Sequence, residues 1–389
     1  MALRPRAIAF CENGAGYGGA IMSLEAMLEK LSPQFTPHIY TGIDAEPYPQ
    51  LARFGQWRHL PPISLLSQQW LRRHKVPFAS SVDNLFNMLP TALRYYRAFK
   101  RDKIALVYLN NDASCNMPAA LGAYLAGLPA ILHARGFNTD TRGNRWVLGT
   151  LKHCMPVSRA VEQGLLALGF PAEKSTVVAE GLDLQTYHPR PPDPALRAAL
   201  GIAQGEAVIT LVGGLVDWKG QDVLLDAAPH ILARYPHAHI LLVGAAYGRD
   251  PGFANTIEAR AADPLLRGRV RLLGARSDVA AILALSDIVL HASTKPEPFG
   301  RTFLEGMALG RAVIAANEGG PLDVIDDGID GLLIAPRNPA LLAESVLRLL
   351  DDPALRASLG AHAAIKAQDF SIERHAEAVC RVLRVQFTD

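Results

Sequence analysis

Two glutamates whose spacing suits ligand binding follow an apolar run that ends at His291. Glu297 and Glu305 are separated by seven residues. Prolines flank Glu297 and stiffen its loop, whereas Glu305 falls within a helix predicted over Arg301–Leu309. The two carboxylates are therefore predicted to face one site from two elements, where they accept hydrogen bonds from sugar and ribose hydroxyl groups. Taken singly, Glu297 has a plainer interpretation as a partner of the helix dipole, and Glu305 as a solvated helix residue.

The start of the predicted helix is a candidate phosphate site. Gly300 lets a ligand approach the backbone closely, and the first N–H groups of a helix have no partner within the helix. We therefore expect the backbone of Phe299, Gly300, Arg301 and Thr302 to bind a negatively charged phosphate.

A lysine lies in a second turn from strand to helix. Residues 213–220 read Gly-Gly-Leu-Val-Asp-Trp-Lys-Gly. Gly213 and Gly214 permit a close turn, and Lys219 is placed to reach a diphosphate as a point charge. A surface lysine in an ordinary loop is the alternative for this turn alone. Together with the two glutamates, binding of a diphosphate is favoured.

The composition is that of an ordinary globular protein. The chain has 389 residues, of which 49% are hydrophobic and 20% are charged, and its formal net charge is +2. This length predicts two domains, and the balanced charge predicts no nucleic-acid partner. The four cysteines lack CxxC or Cys/His spacing. They therefore indicate neither a zinc site nor a disulfide framework, and a cytoplasmic location is expected.

No apolar stretch reaches the roughly 20 residues that a membrane-spanning helix needs, so any membrane contact is expected to be peripheral. Two basic clusters, Arg72–Lys75 and Arg94–Lys103, are interleaved with aromatic residues. They fit a surface for an anionic acceptor or for the cytoplasmic face of a membrane. Solvated faces of ordinary helices are the simpler interpretation.

Short apolar runs alternate with longer amphipathic segments along most of the chain, which is the pattern of a parallel sheet with helical connections. The predicted strands of the first half are 7–11, 38–41, 104–109, 130–133, 154–157 and 175–178, and those of the second half are 208–212, 239–243, 270–272, 288–291, 312–315 and 331–334. Each half is therefore expected to be a doubly wound α/β domain.

A proline-rich segment separates the two halves. Four prolines occur in the six residues Pro189–Pro194, where they deny the backbone regular hydrogen bonding. We predict one domain over 1–188 and a second over 189–370, with a last helix at about 371–389 that packs back on the first domain. Ligands of such sheets bind beyond the carboxyl ends of the strands, so two facing sheets predict a cleft between the domains.

The loops that carry the lysine and the glutamates resemble those of the GT-B glycosyltransferases of family 4. Glu297 and Glu305 match the family's E-x7-E loop, and residues 213–220 match its G-x-L-x-x-x-K-G turn. Further matches extend the resemblance over nearly the whole chain, at 157–159, 180–183 and 318–321. The resemblance implies two Rossmann-like domains that face a central cleft.

The resemblance also implies an activity, that of a retaining glycosyltransferase. A UDP- or GDP-sugar donor would bind the C-terminal domain, and a saccharide or lipid-linked acceptor would bind the N-terminal domain, in the synthesis of cell-surface glycans. No metal and no other cofactor is expected. Lys219 would hold the diphosphate, Glu305 the ribose and Glu297 the sugar, and Arg276 completes the donor-binding candidates.

Two residues depart from the family pattern. Gly214 stands where many members have an arginine that gives the diphosphate a second cation, and Arg301 is a partial substitute for that charge. Glu180 stands where members often have asparagine.

A glycine-rich turn follows the first predicted strand. Gly14, Gly16 and Gly19 satisfy the G-x-G-x-x-G spacing, and Asp44 follows the second strand as a candidate ribose partner. This pattern fits a dinucleotide-binding oxidoreductase. The same loop in GT-B enzymes lies beside the donor phosphates, which makes Gly16, Gly18 and Gly19 donor-binding candidates here, and we favour this interpretation.

His133 ends a predicted strand and resembles the histidine in the cleft of the family. It is a candidate catalytic residue that orients the transferred sugar or contacts the acceptor, and Arg135 beside it is a candidate anion contact on the acceptor side. A strand-end histidine that is bonded to the backbone is the alternative. An epimerase of GT-B fold and a non-catalytic nucleotide-sugar-binding protein also remain open.

Overall fold

The computed structural model describes residues 5–14, 18–65, 84–246, 251–266 and 268–387. The chain forms two compact units. The first unit comprises Met1–Gly181 and Ile372–Asp389, and the second comprises Leu182–Ser371. The proline-rich segment thus belongs to the second unit.

A six-stranded parallel sheet forms the centre of the first unit, in the order β3-β2-β1-β4-β5-β6. Its strands are β1 (Arg6–Glu12), β2 (Phe35–Thr41), β3 (Gln56–His59), β4 (Leu106–Asn111), β5 (Ala130–Ala134) and β6 (His153–Pro156). Its α-helices in the described residues are α1 (Gly19–Glu29), α2 (Leu89–Arg101), α3 (Met117–Ala126), α4 (Arg142–Thr150), α5 (Arg159–Ala167) and, from the end of the chain, α14 (Ile372–Val385).

The second unit contains another six-stranded parallel sheet, in the order β12-β11-β10-β7-β8-β9. Its strands are β7 (Val208–Val212), β8 (His239–Val243), β9 (Val270–Leu272), β10 (Ile288–His291), β11 (Ala312–Ala316) and β12 (Leu332–Ile334). The helices described in it are α6 (Pro194–Ala199), α7 (Gln221–Arg234), α8 (Pro251–Ala261), α9 (Val279–Leu285), α10 (Arg301–Ala308), α11 (Pro321–Val324), α12 (Pro339–Asp351) and α13 (Pro353–Ala367).

Both sheets have the strand order of a Rossmann-like domain, and together they form the GT-B fold that the sequence predicted. In each sheet the direction of winding reverses once, between β1 and β4 in the first unit and between β7 and β10 in the second. At such a switch point the two loops beyond the strands diverge, which leaves room for a ligand. Among these loops, those after β1, β7 and β10 carry predicted site residues.

The C-terminal helix α14 completes the core of the first unit. Its buried residues Ala376, Val379 and Leu383 join one apolar cluster with Ile8 of β1 and Met27 of α1. The return of the chain to its first unit thus buries apolar side chains of the sheet and of α14 against each other.

The predicted strand over 175–178 is wrong. The segment makes a single bridge, from Ser175 to Cys154, and two further backbone hydrogen bonds to β6. Pro156 has no N–H group to donate in return, so the ladder does not continue. Strand β3 was not predicted, because its sequence Gln-Trp-Arg-His lacks an apolar run.

The basic cluster Arg94–Lys103 lies mainly on α2, whereas Arg72–Lys75 falls outside the described residues. Tyr95 and Phe99 of α2 point into the core, and Arg97 and Lys100 are exposed. Both interpretations of this cluster require such exposed basic residues, so the arrangement is compatible with each of them. No helix in the described part of the chain is at once long and apolar enough to cross a bilayer.

Candidate functional site

The switch point of the second sheet brings two predicted loops together. The loop after β7 carries Lys219, and the loop after β10 carries Glu297. Gly220 has a φ of +77°, and a Cβ atom there would overlap the backbone of Ala292. Only glycine allows this close approach, which places the lysine loop against the glutamate loop.

Lys219 and Glu297 form an ion pair. The Nζ atom of Lys219 donates to Oε2 of Glu297 at 2.7 Å, and the side chains are 20% and 10% exposed, respectively. The same ammonium lies 4.1 Å from the centre of the Trp218 ring, within range of a cation–π interaction. A cation that is partly desolvated in this way attracts a diphosphate more strongly than one in open water.

Two further side chains hold the carboxylate of Glu297. Ser293 Oγ donates to Oε2 at 3.0 Å, and His291 Nε2 lies 3.3 Å from the same oxygen. Burial alone would raise the pKa of Glu297, but the His291 hydrogen bond and the charge of Lys219 outweigh it and lower the pKa to about 2. Glu297 is therefore an acceptor of hydrogen bonds at neutral pH and not a proton donor.

Two glycines fix the backbone around Glu297. Gly319 has a φ of +77° and forms a bridge with Glu297, whose carbonyl accepts from Gly320 N at 2.8 Å. A Cβ at Gly319 would overlap the backbone of Glu297, and one at Gly320 would overlap that of Phe299. The segment after β11 thus holds the glutamate loop by close backbone packing.

Helix α10 begins at a glycine, which has no side chain that could cap the first turn. Its N-cap is Gly300, with a φ of +97° and no side-chain hydrogen bond to the first turn. Phe299 is buried against Phe303, which anchors the start of the helix, while Arg301 and Thr302 are partly exposed. The start of α10 therefore carries the positive end of the helix dipole, which favours binding of an anion.

Glu305 is buried one turn into α10, and it lies 4.0 Å from Arg301 Nε. Burial raises the pKa of Glu305 to about 7, although the charge of Arg301 opposes the shift. The pKa of Tyr187 is raised by burial and then by the charge of Glu305, which indicates that the phenol lies near this carboxyl group. The pKa values of the two glutamates thus differ, because Lys219, His291 and Ser293 contact the carboxylate of Glu297 whereas burial dominates at Glu305.

Gly214 and Arg276, two further donor-binding candidates of this unit, have contacts with other residues of the chain. The carbonyl of Gly214 accepts from Gln221 Nε2 at 2.9 Å, which holds the turn that lacks the family's arginine. Arg276 is partly exposed and forms an ion pair with Asp278, with contacts of 2.8 and 2.6 Å. Arg276 therefore belongs to a separate ion pair and is not drawn toward Lys219.

The glycine-rich turn lies at the switch point of the first sheet. Gly16 falls outside the described residues, Gly18 is the N-cap of α1 and Gly19 is its first residue. The Gly14 N–H donates to Glu12 Oε1 at 2.7 Å. Asp44, the candidate ribose partner of an oxidoreductase, is exposed and lies 3.4 Å from His59.

His133 is fully buried. Its Nδ1 atom forms a short hydrogen bond with the Tyr108 hydroxyl, and its ring stacks on that of His375 from α14 at 5.5 Å. Burial and the neighbouring Arg135 hold the pKa of His133 well below its usual value, so the ring is neutral. Contact between His133 and an acceptor would require these neighbours to move.

Arg135 is also buried, and its partner is Glu180. Its Nη1 atom lies 2.7 Å from both carboxylate oxygens, and its Nε donates to Asn110 Oδ1 at 2.7 Å. The guanidinium predicted as an anion contact is thus occupied by a carboxylate of the chain. This pair gives the unexpected Glu180 a physical role.

The sequence analysis missed His291 and Ser293. His291 is the last residue of β10 and Ser293 follows two positions later, and both side chains contact the same oxygen of Glu297. Two polar residues just before a loop that carries a glutamate were the sequence signal that could have indicated their role.

The second unit matches a known protein family. Residues 192–366 match the family model of the glycosyl transferases group 1. The D-inositol 3-phosphate glycosyltransferase of Rhodococcus opacus is 34% identical over 221 residues, which are 56% of this chain and 49% of that protein. Spore coat protein SA of Bacillus subtilis is 29% identical over 226 residues, 55% of this chain and 60% of that one. The chain thus spans about half of the length of these relatives.

Solved structures show the same fold over nearly the whole chain. HepE of Anabaena, in complex with UDP, has a TM-score of 0.81 at 22% identity and covers 98% of this chain and 100% of its own. Sucrose-phosphate synthase of Thermosynechococcus elongatus has a TM-score of 0.75 at 19% identity, with 98% and 99% covered. These structures show that the chain has the GT-B fold.

Proposed function

We propose that the chain is a retaining glycosyltransferase of family 4 that transfers a sugar from a UDP- or GDP-sugar to a saccharide or lipid-linked acceptor. The observation that carries the proposal is the contact of 2.7 Å between Lys219 and Glu297 at the switch point of the second sheet. This contact places a cation for the diphosphate next to a carboxylate for the sugar hydroxyls. The complexes of HepE with UDP and UDP-glucose, which share the fold, support a nucleotide-sugar donor.

In the proposed mechanism, the bond between the sugar's anomeric carbon and the diphosphate breaks while Lys219 and the N–H groups at the start of α10 stabilise the departing charge. The acceptor hydroxyl attacks on the same face, and its proton passes to the leaving phosphate oxygen. Glu297 binds the sugar through hydrogen bonds, and its low pKa keeps it ionised throughout. Because Lys219 and the helix supply positive charge, we propose that no metal is needed.

The acceptor side is proposed to lie on the first unit, in a protein that acts in the cytoplasm in the synthesis of cell-surface glycans. The exposed basic residues Arg97 and Lys100 of α2 support contact with an anionic acceptor or with an anionic membrane surface. Sedimentation with vesicles that contain phosphatidylglycerol tests the membrane contact. Equal pelleting with neutral and anionic vesicles would contradict it.

The function is tested by product analysis. The protein is incubated with UDP- and GDP-sugars and a panel of saccharide and lipid-linked acceptors, and products are examined by NMR for the configuration at the anomeric carbon. Transfer with retention, undiminished by EDTA, is the expected result. Inversion, or loss of transfer in EDTA that Mg²⁺ restores, would contradict the corresponding part of the proposal.

A non-catalytic nucleotide-sugar-binding protein is the second candidate, because Gly214 leaves the diphosphate without the second cation that many family members have. The same experiment separates the two functions. Nucleotide binding without turnover of any donor supports the non-catalytic protein, whereas an isomerised donor sugar would indicate an epimerase.

A further inference from the structure

A non-glycine residue in a left-handed conformation follows the last strand of the second unit. Arg337 comes after β12 and has a φ of +58°. Residues other than glycine rarely adopt this conformation, because their Cβ atom then crowds a neighbouring carbonyl oxygen. Glycine would occupy the position with less strain. An outlier of this kind persists where the surrounding contacts hold it.

The guanidinium of Arg337 bridges two segments that follow neighbouring strands. Its Nη1 atom donates to the carbonyl oxygen of Thr294, in the glutamate loop after β10. Its Nη2 atom donates to Glu318 Oε1 at 3.1 Å, in the segment after β11. The next residue, Asn338, caps α12 by accepting from Leu341 N at 3.0 Å. The guanidinium thus extends from the start of a capped helix.

The first of these contacts leads to the lysine loop. Thr294 N donates to the carbonyl oxygen of Trp218 at 2.8 Å, and Trp218 directly precedes Lys219. The Thr294 hydroxyl also lies 3.4 Å from the carbonyl oxygen of Asp217. Thr294 is therefore bonded on both sides of its backbone, to the lysine loop through its N–H group and to Arg337 through its C=O group.

The second contact leads to the segment that packs on Glu297. Glu318 directly precedes Gly319 and Gly320, whose backbone lies against the glutamate loop. Its other carboxylate oxygen, Oε2, is buried and has no hydrogen-bond partner among the described residues. The carboxylate therefore depends on the hydrogen bond from Arg337. Without that bond, Glu318 should turn toward water and displace Gly319 with it.

Two opposing effects make the contribution of Arg337 to overall stability small. The ion pair is exposed, because 56% of the Arg337 side chain and 31% of the Glu318 side chain are accessible. Such pairs contribute little to stability, and the left-handed backbone costs free energy. The effect of the side chain should therefore be local, on the geometry of the segments that it joins.

We propose that Arg337 is a positioning residue, which ties the glutamate loop to the segment after β11 and thereby keeps Lys219 and Glu297 in place. This inference rests on the proposed function, in which Lys219 binds the diphosphate and Glu297 the sugar. Arg337 acts on the donor through Thr294 and Glu318.

Three variants separate positioning from folding. Arg337→Gly removes the guanidinium and also relieves the backbone, so the protein should unfold within about 3 °C of the wild type. Arg337→Lys replaces the planar fork by a compact ammonium, which serves two acceptors less well. Lys103→Gly is the matched control, because Lys103 has a φ of +50° in the first unit and the change relieves the same kind of strain there.

Two measurements follow the position of the loops. Hydrogen exchange of the Thr294 and Gly320 N–H groups, which bond the lysine loop and the glutamate loop, needs no ligand. Calorimetry gives the dissociation constant for UDP, GDP or ADP, whichever binds the wild type. In R337G we expect faster exchange of both amides and an affinity that is weaker by roughly threefold to tenfold, the loss of about one hydrogen bond. R337K should fall between R337G and the wild type, and K103G should match the wild type.

A double variant tests whether Arg337 acts through Lys219. In the K219M protein the ammonium that Arg337 positions is absent, so the additional change R337G should weaken nucleotide binding by a smaller factor than it does in the wild type. Equal factors in the two backgrounds would overturn the positioning role, because they would indicate that Arg337 contacts the nucleotide directly.

Wild-type exchange of both amides in folded R337G would overturn the tie between the segments. Faster exchange with wild-type affinity would overturn its role in the donor site. A large fall in unfolding temperature that R337G shows and K103G does not would overturn the local nature of the effect, and R337K then gives the comparison of exchange and affinity. Failure of the wild type to bind any of the three nucleotides would instead overturn the proposed function, and the exchange result would still test the tie.

Discussion

Lys219 and Glu297 are 78 positions apart in the sequence, yet the ammonium nitrogen of one lies 2.7 Å from a carboxylate oxygen of the other. The parallel pairing of β7 with β10 brings their loops to the same edge of the sheet. The pair links the two halves of the proposed donor site. A substitution of either residue should therefore affect the side chain of the other.

We expect Lys219→Met to weaken binding of UDP or GDP by roughly tenfold to a hundredfold, because a charge-assisted hydrogen bond contributes about 1.5–3 kcal/mol. Isothermal titration calorimetry on the folded variant measures the effect. Lys295→Met is the matched control, because Lys295 is an exposed lysine in the same loop region that pairs with Asp217 at 3.0 Å. Equal affinity of the two variants would remove Lys219 from the nucleotide site.

The raised pKa of Glu305 predicts that the stability of the protein falls as the pH rises toward neutrality. Its pKa is raised from 4.5 to about 7, so the folded protein retains a proton that the unfolded chain releases between these values. The contribution of Glu305 to stability is therefore complete below pH 4.5 and is lost as the pH rises to about 7. The full shift corresponds to roughly 3 kcal/mol.

Urea unfolding of the wild type and of Glu305→Gln at pH 4.5, 6 and 7.5 measures this linkage. The free energy of unfolding of the variant should increase relative to that of the wild type as the pH rises. Glutamine has nearly the same shape as a protonated glutamate and cannot ionise, which makes the comparison specific for the proton. A constant difference across the three pH values would refute the raised pKa.

The raised pKa of Glu305 also predicts that nucleotide binding depends on pH. Ribose hydroxyls donate to an ionised carboxylate more strongly than to a neutral acid. Affinity for the nucleotide should therefore rise as the pH increases through 7, and binding should release a proton. Titrations in buffers with different enthalpies of ionisation measure the proton count, which should be near zero for Glu305→Gln. Proton uptake by the wild type would argue against contact between Glu305 and the ribose.

The sequence predicted the positions of the lysine loop and the glutamate loop in the fold because their signals are local. Gly220, Lys219, Glu297 and Gly300 each lie in a turn directly after an apolar strand, and parallel strands bring such turns to one edge. The ion pair between Lys219 and Glu297 was not predicted. Spacing along the chain indicated a common site, but not that the two side chains would bond each other before any ligand arrives.

The buried contacts of the acceptor-side candidates were not predicted, because they join residues that are distant in sequence. Arg135 and Glu180 are 45 positions apart, and no pattern in either segment indicates that they meet. His133 is the penultimate residue of β5, one position before the strand ends, and α14 returns from the end of the chain and stacks His375 on its ring. Only the folded arrangement shows that both predicted ligand contacts are enclosed by other side chains.

The packing of Gly320 predicts a loss of function without a change in any charged residue. Gly320 has a φ of −57°, which alanine adopts easily, but its Cβ would overlap the backbone of Phe299. Gly320→Ala should therefore push the Glu297 loop away, destabilise the protein by about 1–3 kcal/mol and weaken nucleotide binding. Gly149→Ala is the control, because a Cβ at Gly149 in α4 meets nothing within 4 Å and alanine favours a helix. Thermal unfolding and calorimetry are compared for both variants. If Gly320→Ala binds UDP and GDP as tightly as Gly149→Ala, the segment after β11 does not hold the glutamate loop in its binding conformation.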